Sequence, residues 1–129
     1  MFDRPVPSVD SREAYRRLTE ADEPEAGPLL VDVRELSEFV EVRADGSVLL
    51  PLSQFLARHR ELPVDRPLLM ICKSGGRSAQ AAAFLLGSGW ADVTNVVDGT
   101  MGWWAAGLPV RSGPPGADEE LDGLTGQDR

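Results

Sequence analysis

Short apolar runs alternate with amphipathic segments along most of the chain. Four runs are rich in aliphatic residues and lie mostly next to glycine or proline, at 29–33, 48–50, 67–71 and 93–97. Runs of this length with such flanks are typical of strands that are buried on both faces. The proline-flanked segment 5–9 adds an edge strand. The pattern therefore predicts five strands.

Apolar residues recur at helical spacing between these runs. Asp10 and Glu13 resemble a capping box for a helix over residues 11–19. Four more helices are predicted, over residues 34–41, 52–62, 77–87 and 101–106. Strands that alternate with helices predict an α/β fold with an open, mainly parallel five-stranded sheet and helices on both faces. Ligands in such sheets bind beyond the carboxyl ends of the strands.

Length and composition predict one domain followed by a tail. The chain of 129 residues fits a single compact domain, which we assign to residues 1–111. Residues 112–129 are rich in Gly, Pro, Asp and Glu with two isolated leucines, so a disordered acidic tail is expected. The formal charge of −8 argues against nucleic acid as a partner. No membrane-length apolar run and no leader pattern are seen, so we expect a soluble, cytoplasmic monomer.

The chain has one cysteine, Cys72, and one histidine, His59. An internal disulfide and a Cys/His metal cluster are therefore excluded, and we expect neither a metal nor a cofactor. Cys72 follows a predicted strand and precedes a predicted helix. It is either an inert core residue or a nucleophile. The neighbouring Lys73, Arg77 and the helix amino terminus are expected to lower its pKa and so favour the nucleophile.

The residues after Cys72 predict an anion-binding loop. Gly75 and Gly76 allow backbone N–H groups to turn inward around an anion, and Ser74 and Ser78 add hydroxyl donors. We predict Cys72 as the catalytic residue. The predicted substrate-binding residues are Lys73, Ser74, Gly75, Gly76, Arg77 and Ser78.

Three segments resemble the signatures of the rhodanese family and occur in the family's order. They are 31–39, 72–78 and 99–110, and the resemblance covers about residues 5–111. It implies that Cys72 takes a sulfane sulfur from thiosulfate or a persulfide donor and holds it as a persulfide. The sulfur then passes to cyanide, an external thiol or a protein acceptor, by covalent catalysis in two steps.

Other functions are weighed against sulfur transfer. Cysteine-dependent phosphatases and arsenate reductases place five residues between cysteine and arginine, whereas four separate Cys72 from Arg77 here. A non-enzymatic binding or regulatory module with the same fold is a second alternative, but Cys72 and both neighbouring cations are retained. A persulfide carrier for a partner protein stays open. Residues 42–47 depart from the Gly-His-Ile-Pro-Gly-Ala segment of many members, which bears on substrate fit.

Several other residues receive structural roles. Asp32 is predicted to be buried and tied to backbone N–H groups or to Arg34. His59 lies between two arginines and is predicted to be a solvated surface residue. Trp103 and Trp104 are adjacent, so one is expected in the core while the other is exposed or walls the pocket.

Overall fold

The computed structural model describes residues 5–121. Its strands are β1 Ser8–Val9, β2 Leu29–Asp32, β3 Arg43–Ala44, β4 Ser47–Leu49, β5 Leu68–Ile71, β6 Val93–Val96 and β7 Val110–Arg111. Its helices are α1 Ser11–Thr19, α2 Leu36–Glu41, α3 Leu52–Arg58, α4 Gly76–Gly87 and α5 Gly99–Ala105. Turns of 3-10 helix cover His59–Glu61 and Ala117–Glu119. Within this range no helix is long and apolar enough to span a bilayer.

Five strands form one parallel sheet in the order β1-β6-β5-β2-β4. Alternate residues of the central strand β5 face opposite sides: Leu68 and Met70 join one core, Leu69 and Ile71 the other. Helices α3 and α4 cover the first face, and α1 and α5 cover the second. The predicted five-stranded α/β sheet with helices on both faces is confirmed. Strand β5 ends at Ile71, so Cys72 lies at its carboxyl end.

Helix boundaries follow local hydrogen bonds. Helix α1 has its predicted limits, with the Asp10 carboxylate accepting the Glu13 N–H at 2.9 Å. The helix predicted from residue 34 starts at Leu36 instead, because the backbone N–H and the guanidinium of Arg34 both donate to Asp32. The helix predicted over 52–62 changes to a 3-10 turn after Arg58.

A small second sheet has no counterpart in the sequence prediction. Strand β3 pairs with β7 in antiparallel fashion, with Arg43 opposite Arg111 and Ala44 opposite Val110. Two-residue strands are too short to show a periodic pattern. This sheet brings the chain that follows α5 back beside the chain that follows α2.

Residues 112–121 pack against the domain, so the predicted disordered tail is wrong for this stretch. Arg43 and Glu119 form a buried ion pair with N–O distances of 2.7 and 2.9 Å. Arg43 also donates to the carbonyls of Phe39 and Gly113, and Leu121 is 1% exposed in the core. The amino-acid composition of residues 112–121 does not reveal that this segment is ordered, because a single ion pair and a single buried leucine hold it against the domain. Residues 122–129 lie outside the described part of the chain.

His59 is buried, which makes the prediction of a solvated histidine wrong. Its ring lies among Phe55, Phe84 and Trp90, with centroids 4.9 to 6.0 Å apart. Its Nδ1 lies 3.1 Å from the carbonyl oxygen of Leu56. Because α3 ends at Arg58, the following turn directs the imidazole against α4 and its carboxyl-terminal end.

One of the two adjacent tryptophans is buried and the other is exposed, as predicted. Trp103 is fully buried, and its indole N–H donates to the Pro109 carbonyl at 2.7 Å. Trp104 is 68% exposed.

Removing one partner of the Arg43–Glu119 pair is expected to destabilise the fold. Glu119→Gln leaves a buried guanidinium without its counter-charge, so the free energy of unfolding should fall by about 3 kcal/mol in urea titrations. The adjacent, exposed Asp118 is the matched control, and Asp118→Asn should change stability by less than about 0.5 kcal/mol. Wild-type stability of Glu119→Gln would show that residues 112–121 do not support the domain.

Candidate active site

Cys72 is held at the carboxyl end of β5 by hydrogen bonds of its main chain. Its carbonyl oxygen accepts the Thr100 N–H at 2.8 Å and the Thr100 hydroxyl at 3.1 Å. The next carbonyl, of Lys73, accepts the Met101 N–H at 3.1 Å. The side chain of Cys72 is 1% exposed. Helix α5 thus fixes where the sulfur sits relative to the sheet.

Three donors surround the sulfur of Cys72. The backbone N–H groups of Gly75 and Ser78 lie 3.2 and 3.3 Å from Sγ, and the Ser78 hydroxyl lies at 3.3 Å. Such converging donors at the start of a helix form an anion site. In this structure the loop donors converge on the cysteine sulfur itself, and anion binding by the loop stays a prediction.

The environment lowers the pKa of the Cys72 thiol below its ordinary value. Burial raises this pKa most strongly, but hydrogen bonds from the Ser78 hydroxyl and from the N–H groups of Ser78, Gly75 and Ser74 together outweigh burial. The causes that lower the pKa are thus hydrogen bonds from the loop and the amino end of α4, and that helix end is one of the three predicted sources. The charges of Lys73 and Arg77, the other two predicted sources, are not among the leading causes. A thiolate is the nucleophilic form of cysteine, so the direction favours reactivity.

One of the two loop glycines is required by its surroundings. Gly75 has φ +100°, and a Cβ there would collide with the carbonyl oxygen of Val97. Gly76 has open space around it and simply begins α4. Gly99 was not predicted as a site residue, yet at φ +65° it approaches the Lys73 carbonyl so closely that a Cβ would collide. Positive φ values favour glycine at both crowded positions.

A buried asparagine supports the cradle from the neighbouring strand. Asn95 on β6 donates through Nδ2 to the Gly75 carbonyl at 3.1 Å, and its Oδ1 lies 2.6 Å from the Ser78 hydroxyl. That hydroxyl has one proton, so Asn95 and the Cys72 sulfur compete for it. Sequence reasoning did not select Asn95; the available signal is a polar residue inside an apolar strand.

Arg77 forms an ion pair with a carboxylate. Its Nη1 and Nη2 atoms each lie 2.9 Å from an oxygen of Glu38 on α2. The pair raises the pKa of Arg77 and lowers the pKa of Glu38 to about 2, chiefly through these hydrogen bonds. In contrast, Lys73 is exposed, and its ammonium has no ion-pair partner among residues 5–121. The structure thus separates two cations that look equivalent in sequence.

Ser74, the last of the predicted site residues, lies in the loop before α4. Ser74 is exposed, and its backbone N–H faces the sulfur.

Asp32 and Arg34 form a buried pair, as predicted, with oxygen–nitrogen distances of 2.9 to 3.1 Å. The described residues contain no group of three His, Cys, Asp or Glu side chains that could hold a metal ion.

A cavity of about 300 Å³ lies beside the loop. Its lining residues are Arg34, Glu38, Glu41, Val42, Lys73, Thr100, Met101 and Trp104. The atypical segment 42–47 thus reaches the site only through Val42. A larger cavity of about 450 Å³ borders the amino ends of β2 and β4. Cys72 lies at the other end of the parallel strands, beyond their carboxyl ends.

Known proteins are similar to this chain in sequence. A protein of Allochromatium vinosum named sulfurtransferase is 33% identical over 105 residues, or 81% of this chain and 94% of that protein. The thiosulfate sulfurtransferase GlpE of Pseudomonas syringae pv. syringae is 38% identical over 85 residues, or 66% of this chain and 79% of GlpE.

Solved structures and a family model agree with these relatives. A rhodanese-related protein from Thermoplasma volcanium superimposes with a TM-score of 0.72 at 27% identity, covering 82% of this chain and 98% of that one. Residues 11–106 match the family model described as rhodanese-like domain. That range contains β2, β4, β5 and β6 of the five-stranded sheet, the Cys72 loop and α5, so the chain belongs to the rhodanese-like domain family.

Proposed function

We propose that this protein is a sulfurtransferase that carries a sulfane sulfur on Cys72 as a persulfide. The observation that carries the proposal is the sulfur of Cys72 at the centre of three converging donors, with a lowered thiol pKa. Relatives named sulfurtransferase and thiosulfate sulfurtransferase support the same class of reaction. Thiosulfate or a persulfide is the donor, and cyanide or a thiol is the acceptor.

The first half-reaction loads the cysteine. The Cys72 thiolate attacks the outer sulfur of thiosulfate, the sulfur–sulfur bond of thiosulfate breaks, and sulfite leaves with the bonding electrons. The product is a persulfide whose terminal sulfur is anionic. The N–H groups of Gly75 and Ser78 are placed to stabilise negative charge in the loop. A thiolate formed in advance needs no general base.

The second half-reaction unloads the cysteine. A nucleophilic acceptor attacks the terminal sulfur, and the Cys72 thiolate departs with the electrons of the breaking bond. Cys72 is the only cysteine in the chain, so no internal thiol can resolve the persulfide. The acceptor must therefore come from solution or from another protein.

Persulfide formation is directly measurable by intact-protein mass spectrometry. After exposure to thiosulfate, the wild-type protein should gain one sulfur atom, and cyanide should remove it while releasing thiocyanate. Cys72→Ser should gain nothing, since its hydroxyl cannot form a persulfide. A wild-type protein that takes up sulfur from neither thiosulfate nor a persulfide donor would refute the proposed function.

The Ser78 hydroxyl is expected to control the pH dependence of thiol reactivity. Ser78→Ala removes a donor that lowers the pKa of Cys72, so the pKa should rise. The alkylation rate of Cys72 follows its thiolate fraction, so the rise of this rate with pH should occur at a higher pH in Ser78→Ala than in wild type. Ser74→Ala is the control, because it deletes a loop hydroxyl and keeps the backbone N–H. Superimposable profiles for wild type and Ser78→Ala would contradict this cause.

Lys73 is expected to recognise anionic donors more than Arg77 does. Its ammonium is free among the described residues, whereas Glu38 neutralises Arg77. Lys73→Gln should therefore lower kcat/KM for the thiosulfate dianion about tenfold, and lower it much less for an uncharged organic trisulfide. Steady-state kinetics with both donors measure the difference, and equal losses would count against a charge-recognition role.

A further inference from the structure

The Ser78 hydroxyl has one proton and three acceptor atoms around it. Its Oγ lies 2.6 Å from Oδ1 of Asn95, 3.3 Å from Sγ of Cys72 and 3.3 Å from the carbonyl oxygen of Gly75. A hydroxyl has a single proton to donate. The position of this proton therefore decides whether the sulfur of Cys72 receives a third donor in addition to the two backbone N–H groups.

The orientation of the Asn95 amide is fixed by its partners. Its Nδ2 lies 3.1 Å from the Gly75 carbonyl oxygen, which only accepts hydrogen bonds, so Nδ2 points to Gly75 and Oδ1 points to Ser78. Two oxygen atoms 2.6 Å apart need a proton between them, and the Ser78 hydroxyl supplies it. Asn95 is buried, so the loss of this donor would cost free energy.

The charge on the sulfur of Cys72 changes the competition for the proton. The S–H group of a neutral thiol is a weak donor and can donate to the Ser78 Oγ while the hydroxyl donates to Asn95. A thiolate is a charged acceptor, and a hydrogen bond to a charged group is about twice as strong as one between neutral groups. The Ser78 proton then turns to the sulfur, and Oδ1 of Asn95 loses its donor. This loss counts against the thiolate.

We propose that Asn95 is a positioning residue that binds the Ser78 proton whenever the Cys72 sulfur is uncharged, and that it thereby favours the thiol and the persulfide over the thiolate. The backbone N–H groups of Gly75 and Ser78 act in the opposite direction, because they stabilise the thiolate. Asn95 thus limits how far the loop activates the cysteine.

The persulfide half of this inference rests on the proposed function. When the thiolate attacks the outer sulfur of thiosulfate, the sulfur–sulfur bond of thiosulfate breaks and sulfite leaves with the bonding electrons. The charge then lies on the terminal sulfur, and Sγ becomes a neutral bridging atom. The Ser78 proton can return to Asn95, so loading restores the hydrogen bond that the thiolate had broken.

The charged groups on the elements that meet at the loop take no part in this exchange. They are Lys73, Arg77, Glu38, Asp32, Arg34 and Asp98. Four of them form the two ion pairs described above, and the Asp98 carboxylate accepts the N–H and the hydroxyl of Ser11. A neutral substitution at Asn95 alters none of these charges. A change in the titration of Cys72 in such a variant therefore reports the Ser78 proton.

Asn95→Leu replaces the amide with an apolar group of similar shape. The Ser78 proton then stays with the sulfur, since the Gly75 carbonyl is an uncharged acceptor and keeps the Ala79 N–H at 3.1 Å. The pKa of Cys72 should fall, so the midpoint of the alkylation rate against pH should move to lower pH. A residue that only held the loop in place would give the opposite shift, because its loss would let the N–H donors move away from the sulfur.

Two further variants serve as controls. Thr94 precedes Asn95 on β6, is buried and faces the other side of the sheet, so Thr94→Val should leave the alkylation midpoint as in wild type. In the Ser78→Ala background there is no shared proton, and adding Asn95→Leu should not lower the midpoint.

A measurement on the unsubstituted chain does not depend on the folding of a variant. The NMR signal of the side-chain carbonyl carbon of Asn95 should change with pH at the same midpoint as Cys72 alkylation, because Oδ1 loses its donor there. In Ser78→Ala the change should be smaller, since only the charge of the thiolate is left to affect the signal.

The loading equilibrium tests the persulfide half. Wild type and Asn95→Leu are equilibrated with the same ratio of thiosulfate to sulfite, at a pH above both alkylation midpoints. Intact-protein mass spectrometry then gives the ratio of loaded to unloaded protein. This ratio should be about fivefold lower in Asn95→Leu, a factor that corresponds to one net hydrogen bond.

Three results would overturn the inference. They are an alkylation midpoint of Asn95→Leu at or above that of wild type, an Asn95 carbonyl signal that does not change as Cys72 titrates, and an unchanged loading ratio. A wild-type protein that takes up sulfur from no donor would instead count against the proposed function. The alkylation and NMR results would still decide the role of Asn95, so the two failures are distinguishable.

Discussion

The site depends on a close approach of three backbone segments at the carboxyl edge of the sheet. The loop after β5 passes so near the ends of β6 and α5 that Gly75 contacts Val97 and Gly99 contacts Lys73, with no room for a Cβ at either glycine. The same approach lets Thr100 bond the Cys72 carbonyl. Because these contacts hold the main chain, the loop N–H groups can converge on the sulfur.

Burial and hydrogen bonding act against each other at Cys72. Removal from water favours the neutral thiol, whereas the hydrogen-bond donors of the loop favour the thiolate, and the donors prevail. A charged side chain achieves less here because Arg77 is already balanced by Glu38. The loop therefore obtains its anion affinity mainly from backbone dipoles, which cannot swing away. Lys73 stays available for ligands that carry their own charge.

In the outer part of the fold, a buried ion pair holds distant segments of the chain together. Arg43 and Glu119 are 76 residues apart in sequence and meet beneath the β3–β7 sheet. Their pairing, together with Leu121, turns a segment with a tail-like composition into part of the domain. The same strand pairing places Val42 at the edge of the cavity beside Cys72.

The sequence by itself determined the five strands of the parallel sheet, how they alternate with the five helices, and the position of the Cys72 loop, because these follow from short-range hydrophobic periodicity and turn residues. It also predicted the Asp32–Arg34 pair, whose members are two residues apart. It did not indicate β3 and β7. Only the tertiary structure decided that Glu38 pairs with Arg77, that Asn95 supports Ser78, and that His59 is buried. Such contacts depend on how distant segments meet after packing, and no local pattern encodes that meeting.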